Sequence, residues 1–169
     1  MLKKERLFID NKLLVVIDVQ NDFINKNTKK ILEKIEELIN SKQYENVVFT
    51  KFINNKDSRF YNDLQYKGCL TEKGIELAIK HNELIVFEKT TYTALTEQLK
   101  IYINKNEINN IYLCGFDTEA CVLKTALDMF EKEYNVFILK DYCMSGAGEE
   151  MHNNAIEIIK RTIGKKRII

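Results

Sequence analysis

The regular alternation of short apolar runs with amphipathic helical segments constrains the fold of this chain more than any other feature. The run at 13–17 (LLVVI) is continuous and rich in β-branched residues, which is typical of a strand buried on both faces of a parallel sheet. Similar runs follow at 47–49, 84–87, 111–114 and 134–139. The alternation predicts a three-layer α/β/α, Rossmann-like fold with a mainly parallel sheet.

The segments between these runs show helical periodicity. Apolar residues recur at the 3.6-residue spacing of a helix in 28–40, 71–79, 94–103, 118–130 and 155–163. Thr28 is the predicted cap of the first helix. Residues 51–69 are polar without clear periodicity and are predicted to form a long, functional loop. Residues 167–169 are predicted to add an edge strand.

Length and charge limit the function classes. A chain of 169 residues predicts one domain, spanning 1–169. A formal net charge of +1 lacks the positive field of a nucleic-acid or anionic-membrane binder, so neither is an expected partner. Asp10 interrupts the first apolar stretch, which argues against a signal peptide and for a cytoplasmic location. The four cysteines contain no CxxC pair and are expected to be free thiols.

Three chemically capable residues follow the predicted strands. Asp18 directly follows the first apolar run, and Lys89 comes just after the third. Cys121 comes shortly after the fourth, in the first turn of the next predicted helix. Ligands of parallel α/β sheets bind beyond the carboxyl ends of the strands, which makes these residues the first candidates for a site. The helix start is expected to stabilise a thiolate and to lower the pKa of Cys121.

The sequence around these residues resembles the isochorismatase-like cysteine hydrolases, the superfamily that includes nicotinamidases, carbamoylsarcosine amidases and ureidoacrylate amidases. The likeness rests on the segments VIDVQNDF, FEKTTYTAL and GFDTEACVLKTALDMFEKEYNVFILKDYC, in that order. It extends over nearly the whole chain, from about residue 13 to residue 164. The three motifs together are far more specific than any one of them.

The resemblance assigns a role to each candidate. Asp18 is the implied general base, Lys89 its charged partner and Cys121 the nucleophile of a catalytic triad. The family also carries a non-proline cis peptide bond that here matches Phe116-Asp117. This implies an oxyanion hole formed by the backbone N–H groups of Asp117 and Cys121.

The resemblance further implies a small-molecule pocket and self-association. Phe23 matches a position that commonly walls the substrate pocket, and Phe116 is a second predicted substrate-binding residue. Members of the family commonly form dimers or tetramers, so a homo-oligomer is expected.

One departure from the family pattern bears on metal binding. Nicotinamidases of this superfamily carry an Asp and His metal cluster after the second strand, but residues 51–59 contain no histidine. The only histidines, His81 and His152, lie elsewhere without ligand spacing. Neither a metal ion nor any other cofactor is therefore expected, and nicotinamide becomes a less favoured substrate.

Three functions remain open from the sequence. The first is a metal-independent cysteine hydrolase that cleaves a C–N bond of a small amide or carbamoyl compound through a Cys121 thioester. The second is an isochorismatase-type hydrolase that does not use the thiol. The third is a non-catalytic or redox-responsive binding protein of the same fold.

Overall fold

A computed structural model describes residues 11–79 and 85–169 of the chain. Five strands form one parallel sheet in the order β3-β2-β1-β4-β5. The strands are β1 (Lys12–Ile17), β2 (Asn46–Phe52), β3 (Val86–Lys89), β4 (Asn110–Gly115) and β5 (Val136–Cys143). The predicted three-layer α/β fold with a parallel sheet is confirmed.

Helices connect the strands, as right-handed crossovers between parallel strands require. The α-helices are α1 (Leu32–Asn40), α2 (Arg59–Asn62), α3 (Glu72–Ile75), α4 (Glu97–Lys105), α5 (Leu123–Glu131) and α6 (Glu149–Ile163). A π-helical turn, Thr118–Val122, precedes α5 directly. None of the helices among the described residues is long and apolar enough to span a membrane.

The central strand β1 is buried on both faces, as its apolar sequence predicts. Leu13, Val15 and Ile17 belong to one core cluster. Leu14 and Val16 belong to another. All five side chains are fully buried, so charge on either face of β1 would be desolvated. Charged groups of β1 are therefore confined to its ends.

The predicted helix at 71–79 is reduced to the single turn α3. Glu76 leaves the helical conformation, with ψ of 143°, and Leu77 instead pairs in an antiparallel bridge with Gln20. The backbone of Ala78 donates a hydrogen bond to the carbonyl of Val19. Pairing with the segment after β1 satisfies these backbone groups and overrides the local helical pattern.

The termini and turns also differ in detail from the prediction. Thr28 does not cap a long helix, because its hydroxyl closes a turn by donating to Phe23 O and accepting from Asn25 N. The predicted edge strand at 167–169 is a single bridge between Ile168 and Ile138. The third strand is placed at Val86–Lys89, and residue 84 lies outside the described residues, as do residues 1–10 and His81.

Candidate active site

The topology brings Asp18 and the segment after β4 to the same edge of the sheet. The chain runs from β1 outward to β2 and β3, then returns to β4 on the other side of β1. The switch point between β1 and β4 is where ligands bind in open α/β sheets. Asp18 follows β1, and Cys121 lies in the π-helical turn that follows β4.

The three predicted catalytic side chains converge at this edge. Lys89 Nζ lies 2.6 Å from Asp18 Oδ2 and 3.5 Å from Cys121 Sγ. All three residues are buried, with relative exposures of 0% for Asp18, 4% for Lys89 and 5% for Cys121. The attraction between a buried carboxylate and a buried ammonium in contact offsets part of the cost of removing each charge from water.

Thr50 and the Thr91 carbonyl fix the two charged side chains. The Thr50 hydroxyl donates a hydrogen bond of 2.7 Å to Asp18 Oδ1, and Thr50 Oγ1 accepts one of 3.2 Å from the Asp18 backbone N–H. Lys89 Nζ donates to Thr91 O at 2.9 Å. Charge-assisted hydrogen bonds of this kind restrict the rotamers of both groups. Thr50 lies on β2 and was not among the residues predicted for the site.

The electrostatics keep Lys89 charged and Cys121 protonated. Burial alone would lower the pKa of Lys89, but Asp18 and Cys121 together raise it above its ordinary value. Burial raises the pKa of the Cys121 thiol well above its usual range, and the Asp18 carboxylate raises it further while Lys89 acts in the opposite direction. The expectation of a lowered Cys121 pKa is therefore wrong, because desolvation next to an existing carboxylate outweighs the helix start.

The loop after β4 has the backbone features that the sequence predicted. Gly115 has φ of 115°, and a Cβ at this residue would lie 2.1 Å from the Ile17 carbonyl oxygen. Only glycine allows β4 to turn this close to β1. The peptide bond Phe116-Asp117 is cis. The turn that follows places Cys121 beside Lys89.

A cavity of about 280 Å³ opens beside Cys121. It is lined mainly by aromatic and apolar side chains, namely Phe23, Phe52, Phe60, Leu64, Tyr66, Tyr92, Asp117, Ala120 and Cys121. Phe23 thus lies where the sequence predicted a substrate wall. Phe116 does not line the cavity, because its side chain is fully buried in the core cluster of Leu14 and Val16.

Several lining residues were not predicted individually. Phe60, Leu64 and Tyr66 come from the segment 51–69, the long loop predicted to be functional. The available signal was the grouping of apolar and aromatic side chains within an otherwise polar loop, since grouped apolar residues at a surface mark binding sites. Phe52 and Tyr92 gave no such signal. Phe52 ends β2 and Tyr92 follows β3 by three residues, so the core could have buried either side chain.

A protein-family model matches nearly the whole chain. A model described as the isochorismatase domain matches residues 12–165. This chain belongs to the isochorismatase family. The match confirms the family resemblance seen in the sequence.

One known member of the isochorismatase family resembles the chain over most of its length. Isochorismatase family protein 2A of Dictyostelium discoideum is 27% identical over 139 residues, which cover 76% of this chain and 64% of that protein. The match thus spans less than two thirds of that relative.

Two solved structures share the fold. An isochorismatase-like hydrolase from Alkaliphilus metalliredigens superposes with a TM-score of 0.80 at 19% identity, covering 91% of this chain and 93% of that chain. A pyrazinamidase from Pyrococcus horikoshii, solved in complex with zinc, has a TM-score of 0.81 at 23% identity, covering 94% and 98%.

Metal-ligating side chains are not clustered within residues 11–79 and 85–169. No group of three or more His, Cys, Asp or Glu residues in these ranges could hold a metal ion. Asn54, in the stretch after β2, uses its side chain to brace the loop by donating to Tyr66 O and Gly68 O. His152 contacts Thr118 Oγ1 through Nδ1 at 2.8 Å, away from the cavity lining.

Proposed function

We propose that this chain is a cysteine hydrolase that cleaves the C–N bond of a small amide or carbamoyl compound through a thioester on Cys121, without a metal ion. The observation that carries the proposal is the contact of Lys89 with both Asp18 and Cys121 beside a cavity of small-molecule size. A binding protein has no need for a buried acid, ammonium and thiol in contact.

Acylation begins with a protonated thiol, because the pKa of Cys121 is raised. Asp18 accepts the Sγ proton as Sγ attacks the carbonyl carbon, so that no free buried thiolate has to accumulate. The developing oxyanion accepts hydrogen bonds from the backbone N–H groups of Asp117 and Cys121. Asp18 then returns the proton to the departing nitrogen, and ammonia or an amine leaves.

Deacylation repeats the sequence with water as the nucleophile. Asp18 accepts a proton from the water that attacks the thioester carbonyl, and the C–S bond breaks to release the acid product. Lys89 remains charged throughout and keeps a carboxylate and a developing thiolate tolerable in the same buried site. Asp18 finally returns its proton to Cys121 Sγ, which restores the resting thiol.

The test is a screen for ammonia release over small amides, ureas and carbamoyl amino acids, followed by variants on the best substrate. Cys121→Ala is expected to lower kcat by roughly a thousandfold or more, since the nucleophile is lost. Asp18→Asn is expected to be similarly inactive. Cys143→Ala is the matched control, because this buried thiol does not line the cavity. Mass spectrometry of quenched enzyme is expected to find the acyl group on Cys121.

Two results would overturn the proposal. Near wild-type turnover by Cys121→Ala would favour the thiol-independent isochorismatase-type reaction. Absence of turnover on the whole panel, together with preferential disulfide formation by Cys114 or Cys143, would favour a redox-responsive binding protein.

A further inference from the structure

The cavity beside Cys121 is walled by a connected chain of aromatic rings. Phe23 stacks on Tyr66 with ring centroids 5.9 Å apart, and Tyr66 lies 6.3 Å from Phe52. Phe52 contacts Phe60 at 4.8 Å, and Phe60 contacts Tyr92 at 4.9 Å. The faces of such rings carry partial negative charge and attract cations. These five rings form the aromatic wall of the cavity.

A single carboxylate joins these rings in the lining. Asp117 is the only ionisable acid or base, apart from the tyrosines and Cys121, among the described residues that line the cavity. Its Oδ1 accepts a hydrogen bond of 2.7 Å from the Gly146 backbone N–H. That bond leaves Oδ2 without a hydrogen bond among those of the described residues.

No lining cation neutralises Asp117. Lys89 is the nearby ammonium, but its contacts are with Asp18, Cys121 and the Thr91 carbonyl. Its Nζ also lies 5.2 Å from the Phe52 ring centroid, which shows that this aromatic wall already accepts one cation. With the Asp18–Lys89 pair neutral and Cys121 protonated, the ionised Asp117 gives the cavity a net negative charge.

The basic residues of the 51–69 loop do not reverse this charge. The four basic residues of this loop, Lys51, Lys56, Arg59 and Lys67, are absent from the lining. Arg59 contacts Asp63 at 2.9 Å, and its side chain is 90% exposed. Exposed pairs of this kind are screened by solvent and act weakly on a cavity beneath them.

From this arrangement, and resting on the proposed function, we propose that the substrate is a small amide or carbamoyl compound that carries an alkylammonium group. Asp117 pairs with the ammonium charge, and rings of the aromatic wall contact the alkyl groups of the ammonium. The carbonyl carbon then faces Cys121. An anionic substrate would instead meet the Asp117 carboxylate, which repels it.

The test compares cationic amides with their neutral carbon isosteres. 4-(Trimethylammonio)butanamide is paired with 5,5-dimethylhexanamide, which replaces the charged nitrogen by carbon at equal shape. The three-carbon spacer keeps the electron-withdrawing ammonium group from activating the amide carbonyl, and the shorter pair, trimethylammonium acetamide and 3,3-dimethylbutanamide, is compared by binding alone. Wild type is expected to show kcat/KM roughly tenfold or more in favour of the cation, the size of a desolvated cation–π and ion-pair contribution.

Variants at Asp117 assign the preference. Asp117→Asn is expected to reduce the discrimination to about twofold or less, and Asp117→Glu to restore part of it. Asp57→Asn is the matched control, because it removes one negative charge from an exposed site of the nearby loop and should leave the preference unchanged. Partial rescue by Asp117→Glu separates loss of charge from loss of folding.

Binding measurements test the cation preference separately from hydrolysis. Calorimetry on Cys121→Ala with the same isosteric pairs is expected to show the same preference without turnover. Hydrolysis of amides without cation preference, equal binding of each pair, preference for the anionic malonamate, or a preference that survives in Asp117→Asn would each overturn the inference. Cation preference in binding without hydrolysis of any amide would overturn the proposed function alone.

Discussion

Thr50 is the residue that holds the Asp18 carboxylate in place. Both residues are fully buried, and the Thr50 hydroxyl contacts Asp18 through two hydrogen bonds. Thr50→Val keeps the shape but leaves Asp18 Oδ1 without its donor, which is expected to lower the free energy of unfolding by about 1–3 kcal/mol. We expect kcat on the best substrate to fall by roughly tenfold with little change in KM, since Asp18 loses orientation.

Urea denaturation and steady-state kinetics check this prediction. Thr28→Val is the control, because Thr28 is an equally buried threonine whose hydroxyl contacts backbone groups of Phe23 and Asn25. Its stability should fall by a similar amount without loss of kcat. Equal kcat in the two variants would show that Thr50 has no positioning role.

Asp117 makes the proposed cation preference dependent on pH. Burial raises the pKa of Asp117 to about 6, the Gly146 hydrogen bond acts in the opposite direction, and Glu119 and Asp18 raise it further. Tyr66, which faces it from the loop, has a pKa above its ordinary value and stays neutral. The ionised carboxylate binds the ammonium group, so the preference is present above the pKa and lost as the pH falls through about 6.

Competition between the cationic amide and its carbon isostere from pH 5 to pH 8 measures this dependence. The ratio of kcat/KM values is expected to rise with pH in wild type and to stay flat in Asp117→Asn. Effects of pH on the chemical steps that both substrates share cancel in the ratio. A flat ratio in wild type would contradict the assignment to Asp117.

At the scale of elements, the closeness of β1 and β4 depends on Gly115. Its positive φ and the 2.1 Å approach of a Cβ to the Ile17 carbonyl oxygen leave no room for a side chain. Gly115→Ala is expected to destabilise the fold by about 3 kcal/mol or more, because strain and a backbone clash add. Gly164 also has positive φ, but a Cβ there would meet nothing within 4 Å.

Gly164→Ala therefore measures the cost of a positive φ without a clash. It is expected to lower the free energy of unfolding by about 1 kcal/mol. Urea denaturation midpoints of the two variants measure how much more stability Gly115→Ala loses than Gly164→Ala. That difference is the cost of the clash at the β1–β4 junction. Similar losses in both variants would mean that the junction relaxes without cost and that the close approach does not fix the site.

At the scale of the whole molecule, the proposed chemistry uses only groups of the protein. Exhaustive treatment with EDTA is expected to leave turnover of the correct substrate unchanged, because Asp18 and the backbone donors supply the proton transfer and oxyanion stabilisation. Treating a zinc-dependent amidase in parallel verifies that chelation was complete. Loss of turnover that zinc or iron restores would overturn the metal-independent mechanism.

The sequence by itself determined the layered fold and the three converging side chains. Continuous β-branched runs can be buried only as strands inside a sheet covered on both faces, and β1 forms for that reason. The carboxyl ends of parallel strands lie at one edge, so Asp18, Lys89 and Cys121 could be predicted to meet from their positions after these runs. Both patterns are local, and local spacing is what a sequence displays directly.

Only the tertiary structure decided what surrounds those side chains. Phe23, Phe52 and Tyr92 are far apart in the chain and meet in one cavity only after the sheet has formed. Phe116, adjacent to the site in sequence, turns instead into the core. The pKa of Cys121 is raised rather than lowered because desolvation and the charge of Asp18 act through space. The local pattern at Cys121 shows a helix start but not the distant residues that exclude water from the thiol, so its desolvation became visible only in the assembled fold.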